Sequence, residues 1–326
     1  METALISGVT GQDGSYLSEL LLSKGYEVHG IVRRGSTINT KRVNHLIDNE
    51  NYTLHYGDLG DANSLIRIMQ KIKPDEVYNI GSMSQVRVSF DIPEYTGQIT
   101  GLGVTRMLEA IRSVNPKIRF YQASSSEMYG DSRAPQNENT RFQPQSPYGC
   151  AKLYGYWLTK AYRRGYDMFA CNGILFNHES PRRGETFVTK KIVRAACRIK
   201  LGLQEKITLG NLEAKRDWGH SKDFVEAIFL IMHHTIPDDF VVATEEYHSI
   251  HRFLRDVFKR LNLNYADYVE IDRRLFRPNE VRELKGDATK IRDTLGWKPK
   301  IFYNELIDDM INSAMKEEKK GVNKWG

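Results

Sequence analysis

Between residues 3 and 175 short apolar runs alternate with stretches of helical periodicity, and no other feature restricts the fold of this chain as strongly. The runs are TALIS (3–7), EVHGIV (27–32), YTLHY (52–56), EVYNI (76–80), IRFYQA (118–123) and MFACNGIL (168–175). Between them Leu17, Leu20 and Leu21, and again Val104, Met107, Leu108 and Ile111, have the i, i+3, i+4 spacing of one buried helix face. Repeated strand–helix–strand units predict a parallel sheet covered by helices on both faces, an α/β fold with a doubly wound sheet. After residue 176 the pattern changes. The stretch 177–216 is rich in charge and Gly, with one helix expected near 186–201. A helix near 222–234 followed by DFVVAT (239–244) repeats the earlier unit and is expected to rejoin the sheet. The remainder alternates short helices and connections, ending in a solvated tail, KEEKKGVNKWG (316–326). No repeat or linker separates these stretches. The expected division is therefore interleaved: residues 1–176 and 217–246 form the sheet domain, and 177–216 with 247–326 a smaller mixed α/β domain for substrate.

The bulk properties exclude several classes. No apolar run approaches the roughly 18 residues that span a bilayer; AIFLIM (227–232) has the size of a core-helix segment. A strand pattern that begins at residue 3 leaves no room for a secretory leader. Three cysteines, Cys150, Cys171 and Cys197, are too few and too scattered for a disulfide framework or a zinc site. Their odd number favours a reducing, cytoplasmic setting. The 9 histidines show no metal-ligand spacing, so no metal is expected. Lys plus Arg exceeds Asp plus Glu by 47 − 41 = 6. The excess falls in short clusters, at 33–34, 181–183, 215–216 and 273–274. Such clusters suit the phosphates of a small ligand, not a nucleic acid, which usually meets a stripe of basic residues with aromatics between them.

GVTGQDG (8–14) joins the first strand to the first helix. Gly8 permits a tight turn, Gly11 lets backbone approach a pyrophosphate, and Gly14 lets the helix pack closely. Thr10, Gln12 and Asp13 complete the turn at a helix N-terminus. In this strand–turn–helix setting the motif predicts a dinucleotide site on a Rossmann-type sheet. The second strand ends in Arg33 and Arg34, with no acid to bond a ribose 2′-hydroxyl. Two guanidiniums there suit a 2′-phosphate, which selects NADP, although a solvated Arg pair would look the same. Asp58 and Leu59, after the third strand, are expected to border the adenine.

Two Tyr-x-x-x-Lys pairs follow, Tyr148/Lys152 and Tyr156/Lys160. Each shares one helix face, and a lysine beside a phenol lowers its pKa toward that of a useful base. Eight helical residues separate the pairs by about 12 Å, so one pair at most serves a given reacting carbon. Tyr148 follows Ser146-Pro147 at the start of its helix, at the sheet edge where ligands bind, and is the expected base; Tyr156 is expected to pack. In SSSEMYG (124–130) an extended chain would put Ser125 and Glu127 on one face. Hydride transfer at a carbinol needs a hydroxyl, a tyrosine and a lysine; it does not need Glu127.

ALISGVTGQDGSYL (4–17), VRRGSTINT (32–40), SPYGCAK (146–152), NGILFNHESPRRGETFVTKKI (172–192), LGNLEAKRDWGH (209–220) and LGWKPK (295–300) together resemble the extended short-chain dehydrogenase/reductase family, in its GDP-mannose 4,6-dehydratase branch. The likeness runs through nearly the whole chain. Generic dehydrogenases share the first motif and the Tyr-Lys pair, whereas NHESPRRGE followed by GNLEAKRDWG is far narrower. The resemblance implies that Tyr148 is the base at the 4-hydroxyl of a GDP-sugar while hydride passes from carbon 4 to NADP. It further implies that Glu127 removes the carbon-5 proton, that water leaves carbon 6 with help from Ser125 and Glu127, and that hydride returns to carbon 6. It places Ile80, Gly81, Ser82, Ser84, Tyr95, His178 and Arg183, with Tyr148 and Lys152, at the cofactor. It places Ser84, Asn177, Glu179, Val188, Lys191, Leu209, Asn211, Lys215, Arg216, Arg277 and Glu280 around the GDP-sugar. Taken without the resemblance, His178 could equally be structural, Asn211, Lys215 and Arg216 a solvated loop, and Arg277 with Glu280 a surface ion pair. The family also implies a homo-oligomer, tetramer or dimer, with the RRGSTINT loop reaching a neighbouring subunit. Three departures stand out. Ser125 replaces a threonine, the loop from Glu127 to Tyr148 is one residue shorter than the family implies, and IGSMSQV (80–86) replaces a run close to LAAQSHV. The last leaves open another GDP-sugar, such as a GDP-manno-heptose. A non-catalytic NADP-binding protein is the remaining alternative, and one that would need none of Ser125, Glu127, Tyr148 and Lys152.

Overall fold

In the computed structural model, which describes residues 1–37 and 39–322, the chain begins with β1 (Thr3–Ser7), α1 (Gln12–Ser23), β2 (Glu27–Val32), β3 (Tyr52–Tyr56), α2 (Ala62–Ile72) and β4 (Glu76–Asn79). Two single-turn helices, α3 (Val86–Ser89) and α4 (Pro93–Thr96), lead into α5 (Leu102–Val114), β5 (Arg119–Ser125), α6 (Pro147–Gly165) and β6 (Ala170–Leu175). Each apolar run of the sequence is thus a strand. Successive side chains of a strand point to opposite faces, and β1 shows the result. Ala4 and Ile6 join the apolar layer that holds Leu17 and Leu21 of α1, while Leu5 joins the layer of Leu65 and Met69 from α2 and Val104, Met107 and Leu108 from α5. Helices cover both faces, as the periodicity requires.

The chain then forms β7 (Asn177–Glu179), α7 (Val188–Lys200), β8 (Ile207–Leu209), β9 (Lys215–Arg216), β10 (Trp218–His220), α8 (Ser221–Met232) and β11 (Asp239–Val242). β11 pairs in parallel with β6, Asp239 opposite Asn172 and Val242 opposite Leu175. The helix–strand pair therefore rejoins the sheet, whose order is β11-β6-β5-β4-β1-β2-β3. Every pairing in it is parallel, so all strand C-termini emerge at one edge, where ligands bind in open sheets of this kind.

The last part adds β12 (His248–Ser249), α9 (Ile250–Arg260), β13 (Val269–Ile271), β14 (Glu283–Leu284), α10 (Thr289–Leu295) and α11 (Tyr303–Val322). A second apolar cluster joins Ile192 and Val193 of α7, Phe253 and Val257 of α9, and Leu306 and Met310 of α11. Val281, Leu284, Ile291 and Trp297 pack into the sheet's own core instead, and Trp297 Nε1 donates to the Asp223 carbonyl at 2.9 Å. The expected tail is helical over its first residues. Glu318 fixes it there, bonded by Arg194 Nε at 2.7 Å and Arg198 Nη1 at 2.8 Å; the tail's residues 323–326 lie outside the described residues. No helix among the described residues is long and apolar enough to cross a membrane.

Candidate active site

The loops that leave the strand C-termini enclose a cavity of about 680 Å³, a volume that suits a small-molecule ligand. Its walls come from the turn after β1, the loops after β2, β4 and β5, the start of α6, and the β7–α7 and β8–β9 segments. Of the residues assigned from sequence, only Arg34 and Lys215 stay outside it. Arg34 folds back onto the Gly35 carbonyl. Lys215 is exposed, its ammonium 5.4 Å from the centre of the Tyr247 ring. In a short strand, neighbours face opposite sides, so Arg216 enters the cavity and Lys215 cannot.

At the dinucleotide end Gly8 has φ +70°, and a Cβ there would lie 2.7 Å from Gly81 Cα. The turn after β1 touches the loop after β4, so only glycine fits. Gly11 is the N-cap of α1 and offers no side-chain acceptor, which leaves the first amides of the helix for an anion such as a pyrophosphate. Arg33 lines the same end and donates to the Tyr95 hydroxyl at 2.6 Å. Arg42, which sequence reasoning missed, joins it: Nε donates to the Arg182 carbonyl at 2.7 Å and Nη1 to the Thr10 carbonyl at 3.3 Å. Its only signal was its place in a basic loop, eight residues beyond Arg34. Ile38 of that loop lies outside the described residues. Residues able to hold a dinucleotide are therefore present, with two guanidiniums and no carboxylate following β2.

His178 ties this end to the second lobe. Its Nε2 lies 2.9 Å from Asp13 Oδ2, its Nδ1 2.7 Å from the Phe176 carbonyl, and its ring stacks on Phe224. Burial disfavours the charged imidazole, but the Asp13 carboxylate outweighs it and moves the histidine pKa up. Burial likewise opposes charge on Asp13, yet His178 and Arg183 hold its carboxyl below the ordinary value. His178 is thus a buried ion-pair partner of the dinucleotide turn.

Ser146 caps α6, accepting from the Gly149 amide at 3.0 Å, and Pro147 opens the helix. Tyr148 is thereby held in the first turn, at the cavity. A Cβ at Gly149 would lie 2.8 Å from the Glu127 carbonyl, so glycine lets the segment carrying Glu127 lie against α6. That segment is not extended, contrary to expectation. β5 ends at Ser125, and Ser126–Met128 form a 3₁₀ turn in which Ser125 Oγ accepts from the Glu127 amide at 3.2 Å. The turn, not strand alternation, brings both side chains into the cavity.

Lys152 is anchored to backbone beside Tyr148. Its Nζ donates to the Ala123 carbonyl at 2.7 Å and lies 5.7 Å from the centre of the Tyr148 ring. Burial moves the Lys152 pKa down to about 8, and burial pushes the Tyr148 phenol up to about 12, against the pull of Ser125 and the Arg183 charge. Arg183, from the β7–α7 loop, adds a second cation that favours the phenolate, opposed by the Glu127 carboxylate.

Glu127 meets two more cations. Its Oε1 is 3.5 Å from Arg277 Nη1 and 4.0 Å from Arg216 Nη2, and both guanidiniums also reach Glu280, at 3.4 and 3.3 Å. Glu179 accepts from Thr189 Oγ1 at 2.6 Å and faces Arg183 Nε at 2.9 Å. Lys191 Nζ donates to the Thr208 carbonyl at 2.7 Å, and Asn211 Oδ1 accepts from the Glu213 amide at 2.9 Å. Thr186, Thr189 and Arg87 also line the cavity and were not anticipated; each is a residue type common in loops, without a motif. Glu127 Oε2, Asn177 Oδ1, Arg183 Nε and Arg277 Nη1 are buried without a hydrogen-bond partner. Buried polar atoms are normally paired, so four such atoms on residues that line one cavity point to a polar ligand. Among the described residues the one group with metal-ligand spacing is Glu2, Glu76 and His233, none of which lines the cavity.

Known proteins with this chain's features are numerous. A family model described as GDP-mannose 4,6 dehydratase matches residues 5–310. GDP-mannose 4,6 dehydratase 1 of Arabidopsis thaliana is 54% identical, over 97% of this chain and 91% of that protein. The human GDP-mannose 4,6 dehydratase is 48% identical over 95% of this chain and 90% of its own length, and the Vibrio cholerae enzyme 48% over 96% and 94%. Among solved structures, a dTDP-glucose 4,6-dehydratase from Bacillus anthracis in complex with NAD superposes with TM-score 0.86 at 19% identity, covering 98% of each chain. A UDP-glucose 4-epimerase from Thermus thermophilus in complex with NAD gives 0.84 at 21%, over 96% and 98%. These distant structures establish the shared fold. With about half of all positions identical along nearly its full length to proteins from plants, animals and bacteria, and with the family model matched from β1 into α11, this chain belongs to the GDP-mannose 4,6-dehydratase family.

Proposed function

We propose that the protein is a hydro-lyase that uses NADP to convert GDP-mannose to GDP-4-keto-6-deoxy-mannose. The observation that carries this reading is the meeting of Tyr148, Ser125 and Glu127 with Arg183, Arg216 and Arg277 in the cavity that the glycine turn also borders. Gly8, Gly11 and the start of α1 would hold the pyrophosphate. Arg33, with Arg42 nearby, favours a 2′-phosphate over a bare ribose hydroxyl. When bound, the nicotinamide supplies a two-electron acceptor at carbon 4 that is restored by return to carbon 6, together with a positive charge beside the phenol.

The chain's own residues move the protons. Tyr148 takes the proton of the 4-hydroxyl, assisted by Ser125 and by the Arg183 charge that favours its phenolate. The resulting ketone acidifies the neighbouring C5–H bond. Glu127 takes that proton, and Oε2, which has no protein partner, is free to accept it. Passing it to the 6-hydroxyl, beside Ser125, lets that group leave as water. The proton held by Tyr148 balances the one carbon 5 regains, so the net change is loss of one water. A 4-epimerase would need no base at carbon 5, and a binding module none of these groups.

The sheet unit, residues 1–176 with 217–246, carries the dinucleotide in this reading, and 177–216 with 247–326 the GDP-sugar. Self-association is supported by Leu102 of α5 and Tyr154 and Trp157 of α6, apolar side chains 39%, 45% and 52% exposed. Large exposed apolar groups gathered on packed helices suit a second copy of the chain, and we place the protein in the cytoplasm as a homo-oligomer.

Incubation of the purified protein and NADP with GDP-mannose, and separately with a GDP-manno-heptose, tests the function. A 4-keto product lighter by one water is expected from GDP-mannose. Product from the heptose alone would reassign the substrate, and no product from either would overturn the dehydratase reading.

A further inference from the structure

The base assigned to carbon 5 is oddly placed for a base. Two guanidiniums stand within ion-pair range of Glu127 Oε1, Arg277 at 3.5 Å and Arg216 at 4.0 Å. A nearby cation favours the ionised carboxylate and so opposes protonation of a general base. Arg216 is held by the Lys215 and Val281 carbonyls through Nη1 and by Glu280 through Nη2, whereas Arg277 Nη1 is not so held. Glu280 competes for both, at 3.4 Å from Arg277 and 3.3 Å from Arg216. Arg277 Nη1 is buried between the two carboxylates and makes no hydrogen bond to either. An off-geometry cation shared by two anions is ready to be taken by a better one. Phosphate oxygens are such acceptors, matched to the guanidinium fork.

The chemistry of the substrate puts that acceptor nearby. In a pyranose, carbon 5 and carbon 1 are separated only by the ring oxygen, and carbon 1 carries the diphosphate. Cations that touch the base at carbon 5 are therefore close to where the diphosphate must lie. We propose that the substrate diphosphate takes Arg277 from Glu127 and Glu280, so that filling the phosphate subsite is what releases Glu127 to act as the base. This rests on the reading of Glu127 as the carbon-5 base and adds how that base is held until substrate arrives. The exchange would keep Glu127 paired, and so a poor base, in the absence of the nucleotide sugar. It would also spend part of the phosphate binding energy on activating the reaction instead of on affinity, as expected when binding at one part of a substrate serves chemistry at another.

Linkage makes the exchange measurable without turnover. If Glu127 and the diphosphate compete for the Arg277 guanidinium, removing the Glu127 charge must tighten diphosphate binding. Binding of GDP, which has the diphosphate and no sugar, is measured by calorimetry with NADP present for the native chain, Glu127→Gln and Glu280→Gln. About five- to tenfold tighter GDP binding is expected for Glu127→Gln, from a coupling of ordinary size. A gain in the same direction is expected for Glu280→Gln. Both gains should vanish when Arg277→Met is added, the signature of a coupling that passes through that side chain. Unchanged or weaker GDP binding in both carboxamide variants would overturn the exchange, and so would a gain that survives Arg277→Met. The function reading fails differently, by near-normal dehydration in Glu127→Gln, so the two failures are separable. Glutamine keeps the shape of glutamate, and Glu280 lies outside the 3₁₀ turn, so a folding defect in one variant leaves the other to decide.

Discussion

Helix α6 carries Tyr148/Lys152 and, two turns on, Tyr156/Lys160, and only the first pair reaches the cavity. The two tyrosines are buried alike, 8% and 2% exposed, so burial does not separate them. Their partners do. Tyr156 donates to Asp239 at 3.4 Å and accepts from Lys160 at 3.1 Å, while Lys160 and Arg163 hold Asp239 at 3.0 and 2.9 Å. Burial and the Asp239 carboxylate both drive the Tyr156 pKa far up, which makes it a fixed phenol. Tyr148 is also raised, to about 12, by burial and the Glu127 charge, but Ser125 and Arg183 favour its anion and it lines the cavity. In the proposed reading the same spacing on one helix yields a base in one place and a brace in the other. What decides is whether the tyrosine is bonded to a buried carboxylate or lines the cavity.

The largest effect expected from this contrast is on Tyr148→Phe. Loss of the group that accepts the 4-hydroxyl proton should lower turnover about 10³-fold, the usual range for a positioned acid–base group being ~10²–10⁴. Unfolding midpoints should hardly move, because the ring stays packed. Steady-state turnover and a denaturant titration on the same preparation check both halves. Turnover within tenfold of the native rate would break the comparison at its catalytic end.

How much of this contrast was legible in sequence follows from what each feature depends on. The sheet was legible because strand and helix periodicities are local, and the dinucleotide turn because glycines at 8, 11 and 14 between a strand and a helix form a local motif. Tyr148 was separable from Tyr156 by its distance from the helix start. The electrostatics were not legible. Lys152 sits one turn from Tyr148 in sequence, yet its ammonium goes to the Ala123 carbonyl. A further cation, Arg183, arrives from beyond the next strand. Glu127 was found, but the 3₁₀ turn that aims it was not, because it is set by the Ser125 hydroxyl and by backbone bonds, one of them from Gln143, fifteen residues beyond Met128. Lys215 was drawn to the site with Arg216 although a strand must send neighbours to opposite sides; two residues of β9 are too few for period-2 alternation to be seen in the sequence. Long-range pairing decides all of these, and no local pattern encodes it.

The next largest effect should fall on the bracing end. Asp239 is nearly buried and bonded by Arg163, Lys160 and Asn172, the last donating from Nδ2 at 2.8 Å. Asp239→Asn leaves two cations without their counter-ion and should cost about 3 kcal/mol, the range for breaking one side of a buried ion pair. The sign with pH is definite. Burial disfavours the Asp239 anion, but Arg163, Asn172 and Lys160 together hold its carboxyl below the ordinary value. A carboxyl depressed in the folded state contributes stability above its unfolded pKa of about 4 and loses it as pH falls through the folded value. The gap between native and variant unfolding midpoints should therefore be full at pH 7 and shrink in acid. A gap that stays constant well below pH 4, or one that is absent at pH 7, would show that Asp239 is not the brace.

Tyr156→Phe should have the smallest effect and draws the contrast most sharply. The change removes one hydroxyl and keeps the ring, which packs edge-on against Phe142 and Trp157. Lys160 keeps its 3.0 Å contact with Asp239, so no charge is stranded. The lost bonds are one of ordinary length and one long and weak, at 3.1 and 3.4 Å. A net cost of about 1 kcal/mol follows from what a single buried hydrogen bond contributes, read as a small drop in the denaturant midpoint. Turnover should remain within about twofold of the native rate, since a far-raised phenol locked onto Asp239 has no proton to exchange with substrate and lies about 12 Å along the helix from Tyr148. Set beside Tyr148→Phe, the same one-atom deletion is then mildly structural at one site and disabling at the other. If turnover instead falls by orders of magnitude while the midpoint holds, Asp239 does not lock Tyr156, and its role in setting the two tyrosines apart has to be given up.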